Sequence, residues 1–362
     1  MSFRVMTQQG MSHFVSALQG HFRVVGPQPV DGQYLFGDVD SPEDLHLDYT
    51  QTVLPPKKYV LPQREELLRF KLDGSQIERA SDGPPTVVLG VHTCDLHAIQ
   101  LLDKVLSAGY ADQPYRQRRE HTLLIGVECL RPCTKHSFCK SMGTLTATNV
   151  FDLHLTSLGK EYAVDIGSER GQALLDEHAE TRPAADDDFK RLNAVMAEKW
   201  SRIWYRLDFD VGELPSLMRM SYTSRVWEEL GQRCLACGSC TMVCPTCYCF
   251  NVQDEVDFAL SAGTRSRVWD SCQLDEFATV AGGHNFRSSR AARQRHRFMR
   301  KGLYQTDTYH LPGCVGCGRC AQACLAHITP VDTFNALYHE RTGDAPGVTK
   351  ERAASAAKGG TA

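Results

Sequence analysis

One cysteine spacing occurs twice near the C-terminus. Cys234, Cys237, Cys240 and Cys244, then Cys314, Cys317, Cys320 and Cys324, each read C-x2-C-x2-C-x3-C. This is the spacing of a pair of 4Fe-4S clusters, in which three closely spaced cysteines wrap one face of a cube and the fourth, set apart, closes the cube of the other run. The expected ligand sets are therefore crossed: Cys234, Cys237, Cys240 and Cys324 for one cluster, and Cys314, Cys317, Cys320 and Cys244 for the other. Pro245 follows the first run as that pattern expects, whereas Leu325 follows the second. Structural zinc uses four ligands, usually as two separated pairs, and fits two triplets with distal fourths poorly.

The rest of the composition narrows the class. A chain of 362 residues with 42% apolar and 23% charged residues can bury a core and is long enough for two domains. Its fifteen cysteines would suggest disulfides in a secreted protein, but the opening MSFRVMTQQGMSHF has no basic stretch followed by an apolar one. Reduced thiolates in the cytoplasm are the expectation. The apolar runs around Val87 to Val91 and Leu123 to Val127 are too short to cross a bilayer. A net charge of −3 gives no case for nucleic-acid binding.

Strand and helix signals divide the chain. From Met1 to about Asp82, Gly26-Pro27, Pro55-Pro56 and Gly83-Pro84-Pro85 punctuate what reads as a covering segment, with a short helix at Arg64 to Lys71. Thr86 to Val91 and His121 to Val127 read as buried strands, and Leu96, Ile99, Leu102, Val105 and Leu106 share one face of the helix between them. A strand, a crossover helix and a second strand predict a parallel α/β sheet. Helices are expected at Ser168 to Glu180, Phe189 to Leu207 and Ser216 to Leu230. The expected layout is an α/β domain with a mainly parallel sheet over residues 1–210, a helical ferredoxin-like domain over 216–339, and a disordered tail over 340–362.

Four cysteines outside the runs fall in the α/β half: Cys94 after the first strand, and Cys129, Cys133 and Cys139 after the second. Adjacent parallel strands would carry all four to the carboxyl edge of the sheet, where open α/β sheets bind ligands. They are candidates for a third 4Fe-4S cluster, with Cys94 at a helix N-terminus that favours its thiolate. Zinc or simple packing are the alternatives, and His92, His97 or His136 lies near enough in sequence to replace one ligand. Cys247, Cys249 and Cys272 are read as packing residues or as groups tuning a cluster. The basic segment Arg287 to Lys301 reads as a solvated helix, ahead of a docking face for an acidic partner or a counter-charge to the clusters. Gly282-Gly283 reads as a turn.

Taken together, CLACGSCTMVCPTCYCF, WDSCQLDEFATVAGGHNFR and CVGCGRCAQAC, with GVHTCDLHAI and ECLRPCTKHSFCKSMG upstream, resemble the 4Fe-4S dicluster β subunits of cytoplasmic NAD(P)-linked NiFe hydrogenases (sulfhydrogenases). They are also similar to the iron–sulfur electron-transfer subunit of anaerobic sulfite reductase. The resemblance runs from PPKKYVLP at Pro55 to the last cysteine run, and departs from the pattern at His92-Thr93, where relatives are expected to carry Arg-Pro, and at Leu325. It implies an electron-transfer subunit between a flavin- and NAD(P)-binding chain and the small and large subunits of a NiFe hydrogenase, or else sirohaem subunits. The chain shows no G-x-G-x-x-G after a strand and no G-x-x-x-x-G-K-[ST], so a dinucleotide site belongs to a partner. No catalytic acid, base or nucleophile is expected here. A thiol–disulfide enzyme resembling heterodisulfide reductase is the reading from another class, and the lack of an adjacent Cys-Cys pair weighs against it.

Overall fold

The computed structural model describes residues 3–79, 83–147 and 149–343. In chain order the first half contains β1 (Phe3–Thr7), α1 (Gln8–Gln19), β2 (Arg23–Val30), β3 (Gln33–Asp38), β4 (Arg64–Lys71), β5 (Ile77–Arg79), β6 (Thr86–His92), α2 (Thr93–Ser107), α3 (Gln113–Glu120) and β7 (Thr122–Val127). There follow β8 (Leu153–Ser157), β9 (Glu161–Ile166), α4 (Glu169–His178), β10 (Arg182–Pro183) and α5 (Asp186–Arg202). The second half holds α6 (Leu214–Met220), α7 (Val226–Arg233), α8 (Ser239–Met242), β11 (Phe250–Val256), β12 (Ala262–Trp269), α9 (Arg290–Met299), α10 (Gln305–Tyr309), α11 (Arg319–Gln322) and α12 (Pro330–Thr342).

An eight-stranded sheet runs β10-β1-β9-β8-β7-β6-β2-β3. Its centre, β8-β7-β6-β2, is parallel, and the flanking pairs are antiparallel. The sheet is thus mixed, with the expected parallel unit at its middle. Every residue of β6 and β7 is buried, as strands covered on both faces require. Val87, Leu89, Ile125 and Leu153 pack against Phe14 and Leu18 of α1 and Leu174 and Leu175 of α4. On the other face Val88, Val91, Leu124 and Val127 meet Leu96 and Ile99 of α2. Helices therefore sandwich the sheet. The register of β6 against β7 shifts between Leu89 and Val91, where Gly90 adopts φ 87°. A Cβ there would stand 2.9 Å from a Pro27 ring carbon, so the bulge needs glycine.

Several expectations are corrected. The N-terminal segment does not merely cover the core: β1, β2 and β3 are strands of the main sheet. Arg64–Lys71 is strand β4, paired with β12 and β5 in a second, antiparallel sheet ordered β11-β12-β4-β5. Glu65, buried on this strand, meets Arg118 and Arg267, and that partnership overrides the helical composition of REELLRFK. The second half is accordingly not all helical, since the β11–β12 hairpin stands between the two cysteine runs. Ser216 to Leu230 is split into α6 and α7. The last helix reaches Thr342, and the remainder of the expected tail lies outside the described residues.

The two halves interlock. Phe138 and Met142, from the loop after β7, are buried with Trp227, Leu230, Phe298 and Phe334 in the core of the helical half. Strand β4 crosses in the other direction to pair with β12.

Candidate metal centres

The two runs fold alike. In each, a glycine between the second and third cysteines takes a left-handed conformation, Gly238 at φ 77° and Gly318 at φ 81°, and opens a one-turn helix, α8 or α11. These short helices pack on one another. Cys244 comes to a cavity that it shares with Cys314, Cys317, Cys320 and Cys240, and Cys240 also neighbours Cys272, Cys234 and Cys324. Cys244 of the first run therefore meets the triplet of the second, and Cys324 of the second meets Cys240 of the first. Cys237 is exposed at the rim, and Leu325 is exposed beside Cys324.

Burial raises the thiols of Cys314, Cys317 and Cys320 to about 12 and that of Cys240 to about 11. A metal ion that binds these groups takes them as thiolates and displaces their protons.

The basic segment is not a solvated helix. Arg293, Arg297 and Lys301 are buried, and α9 runs through a single π-helical stretch, Arg300–Tyr304, into α10. Gly302 in that stretch lets Met218 of α6 approach, since a Cβ there would lie 2.6 Å from Met218 Cγ. Lys301 Nζ donates to Thr246 Oγ1 at 2.5 Å, and that oxygen lies 3.3 Å from Cys244 Sγ. Burial pulls the Lys301 ammonium down, but the sulfurs of Cys244, Cys247 and Cys314 outweigh it and hold the group above its ordinary value. Arg297 behaves likewise towards Cys240, Cys320 and Cys244. No carboxylate among the described residues forms an ion pair with either cation. Lys57 is a third buried cation, its Nζ 2.5 Å from the Cys247 carbonyl and 4.0 Å from the Trp269 ring centroid. Burial lowers it to about 8. The opposite directions for Lys57 and Lys301 have one cause: the sulfurs outweigh desolvation at Lys301 and not at Lys57.

The other ligand group is held by neutral donors. Gln294 Nε2 donates to Cys234 Sγ at 2.9 Å, the Ala236 N–H to the same sulfur at 3.3 Å, and the Ile328 N–H to Cys324 Sγ at 3.4 Å. The sequence alone does not single out Lys57, Thr246 or Gln294. Lys57 reaches the site from far away in the chain, and Gln294 lies within the basic segment, where helical spacing from Arg297 is the one signal available. Of the three leftover cysteines, Cys247 bonds Cys244, which lowers the Cys244 thiol and raises its own. Cys249 and Cys272 bond each other at the base of the hairpin, which lowers Cys249 to about 6 and raises Cys272.

At the carboxyl edge of the main sheet, Cys129 and Cys133 lie with His92, and the three ligand atoms are all within 4.8 Å of one another. Cys94 packs with Ala98, Val315 and Cys317, and Cys139 joins that group; both also neighbour the trio, Cys94 facing Cys129 and Cys133, and Cys139 facing the same two. Burial and the Asp95 carboxylate raise the Cys94 thiol, against the expectation that the helix N-terminus would favour its thiolate. His97 bonds the Thr146 carbonyl at 2.9 Å, and neither it nor His136 joins the trio. The second run docks directly on this edge: the Phe138 N–H donates to the Gly316 carbonyl at 2.7 Å and Gln51 to the Cys317 carbonyl at 2.5 Å. Arg319 forms a buried two-pronged pair with Asp95, at 2.7 and 2.8 Å.

Comparison with known proteins adds to this geometry. The model of the 4Fe-4S dicluster domain family matches residues 233–328, which contain both runs. The chain is similar to sulfhydrogenase 2 subunit beta of Pyrococcus furiosus, 35% identical over 322 residues that cover 89% of this chain and 94% of that one. No solved structure matches. Among the described residues no helix is long and apolar enough to cross a membrane.

Proposed function

The chain belongs to the family of sulfhydrogenase beta subunits, and we propose that it is an iron–sulfur electron-transfer subunit of a hydrogenase, relaying single electrons between a flavoprotein that handles NAD(P)H and the small subunit of a NiFe hydrogenase. In this reading Cys234, Cys237, Cys240 and Cys324 hold one 4Fe-4S cluster, and Cys314, Cys317, Cys320 and Cys244 hold the second. The clusters supply one-electron oxidation and reduction, and the chain's part is to bury them, space them and set their potentials.

The observation that carries this reading is the pair of buried cations, Arg297 and Lys301, turned onto the cysteines without a carboxylate partner. An isolated buried cation costs several kcal/mol in desolvation, about as much as a broken buried ion pair. A cube with four thiolate ligands carries net negative charge and supplies the missing counter-charge. A single zinc ion with four thiolates would also be negative, but it would draw its four sulfurs together around one centre. The eight cysteines here do not crowd in that way.

The sulfhydrogenase relative favours the hydrogenase terminus over a sirohaem one and over heterodisulfide chemistry. A cytoplasmic setting, where the cysteines stay reduced, goes with this proposal. The test is anaerobic purification with the native partners, iron and sulfide quantification, and reduction by hydrogen or NAD(P)H followed by electron paramagnetic resonance. The proposal requires about eight irons and eight sulfides on this chain. It also requires signals from both clusters under either reductant. Clusters that neither hydrogen nor NAD(P)H reduces in the intact complex would refute the relay.

A further inference from the structure

We propose that His92, Cys129 and Cys133 bind a single tetrahedral metal ion, zinc by its donor set, at the carboxyl edge of the main sheet, with the fourth position open to the adjoining pocket. Spacing is the first argument. A zinc ion with Zn–S near 2.3 Å and Zn–N near 2.0 Å holds two sulfurs about 3.8 Å apart, and a sulfur and a nitrogen about 3.5 Å apart. Cys133 Sγ and His92 Nδ1 are separated by 3.7 Å, and all three donor atoms lie within 4.8 Å of one another. A cube places each ligand sulfur on its own iron, which spreads the sulfurs further than two ligands of one ion. Among the described residues, no three cysteines of the two runs approach as closely as this trio does. The same molecule therefore shows two different spacings for two kinds of site.

Charge is the second, independent argument. The cations around the trio are already matched: Lys199 with Glu128, Arg319 with Asp95, Arg131 with Asp48 and Arg202 with Glu198. A divalent ion with two thiolates and a neutral imidazole adds no net charge and fits these surroundings. A cube with four thiolates would be left without the free buried cations that Arg297 and Lys301 provide at the runs. The third argument is orientation. Past the bulge at Gly90, His92 at the end of β6 stacks on Tyr49, ring centroids 4.0 Å apart and planes 9° from parallel, and Tyr49 is anchored by its hydroxyl to the Gly90 carbonyl at 2.8 Å. A ring held this way keeps a fixed face to the two sulfurs, as ligating histidines require.

All three donors line one surface pocket with Asp48, Ser157 and Tyr162. Three protein ligands and an open fourth position are the arrangement of reactive zinc sites, whereas structural sites close the shell with a fourth residue. The fourth ligand is a water molecule or a small anion from solvent. This inference stands apart from the electron-relay reading, because it concerns residues outside both runs and is read by zinc.

The test uses the full chain purified anaerobically with its partners. Expected are one zinc per chain beside about eight irons, and a zinc absorption edge fitted by two sulfurs, one imidazole nitrogen and one further light atom. Cys133→Ser and His92→Gln should lose the zinc on dialysis against a chelator and keep their iron and sulfide. Cys94→Ser and Cys139→Ser should keep both metals. Absorption spectroscopy of the wild-type protein decides the matter even if a variant fails to fold. About twelve irons without zinc, with about four lost in Cys94→Ser or Cys139→Ser, would overturn the proposal in favour of a third cube. Zinc surrounded by oxygen and nitrogen alone, or zinc that persists in both ligand variants, would overturn it as adventitious binding.

Discussion

Replacing Lys301 with Met removes a buried positive charge beside one cluster and should lower that cluster's potential alone. The charge sits two short contacts from a ligand sulfur, 2.5 Å from Thr246 Oγ1, which is 3.3 Å from Cys244 Sγ. Taking the ammonium about 7 Å from the centre of the cluster and an effective dielectric constant near 20, its interaction with one added electron is about 2.4 kcal/mol. Since 1.4 kcal/mol is a factor of ten, and a factor of ten is 59 mV for one electron, the midpoint should fall by about 100 mV. The sign follows from the added electron losing a favourable neighbour. Lys301→Arg keeps the charge and should fall by much less. Redox titration followed by electron paramagnetic resonance measures both clusters, and the one built on Cys234, Cys237 and Cys240 should move little. A shift in the Met variant under about 30 mV, or a shift upward, would refute the assignment of Lys301 as the counter-charge.

Cys324→Ala should damage the cluster of Cys234, Cys237 and Cys240 and spare the other, so loss of only the signal assigned to Cys314, Cys317 and Cys320 would show uncrossed ligation. Gln294→Leu removes the 2.9 Å bond to Cys234 Sγ. Hydrogen bonds to sulfur raise cluster potentials, so that cluster should drop by a few tens of millivolts, roughly the worth of one such bond. An unchanged midpoint would show the contact to be incidental. Arg319→Met strands Asp95 in the core and should destabilise the chain by about 3–5 kcal/mol. The double variant Arg319→Met, Asp95→Leu should recover most of that in denaturant unfolding of the apoprotein, and a double variant no more stable than the single would refute the pairing argument.

What is legible in the sequence is local. The cysteine runs are read from spacings of two and three residues, and the left-handed Gly238 and Gly318 that shape their loops sit inside the same few positions. The buried strands β6 and β7 and the amphipathic helix α2 are equally readable, because strands covered on both faces and a helix covered on one carry continuous and periodic apolar patterns. Arg64–Lys71 misleads for the complementary reason. Its glutamates and arginines have helical composition, and only Arg267 and Arg118, brought from elsewhere in the chain, make a buried Glu65 tolerable on a strand. The first eighty residues read as a mere cover because β1 pairs with β9, more than 150 residues away, and nothing within them announces that partner.

The candidate sites divide along the same line, and charge explains where. A count of arginines and lysines from Arg287 to Lys301 gives seven cations and no hint of which face inward. Helical periodicity alone is ambiguous there, because Arg293, Arg297 and Lys301 share a stripe that composition assigns to solvent. That stripe is buried, and Arg297 and Lys301 on it face cysteines of both runs. At the sheet edge the reverse holds: four cysteines in two loops suggest one ligand shell, yet Arg319 and Lys199 arrive there already neutralised by Asp95 and Glu128. Under the two proposals, the presence or absence of a carboxylate partner for a buried cation separates the site assigned to an anionic cluster from the one assigned to a neutral metal complex. Pairing of that kind spans 224 residues for Arg319 and Asp95, a distance over which no local pattern carries information.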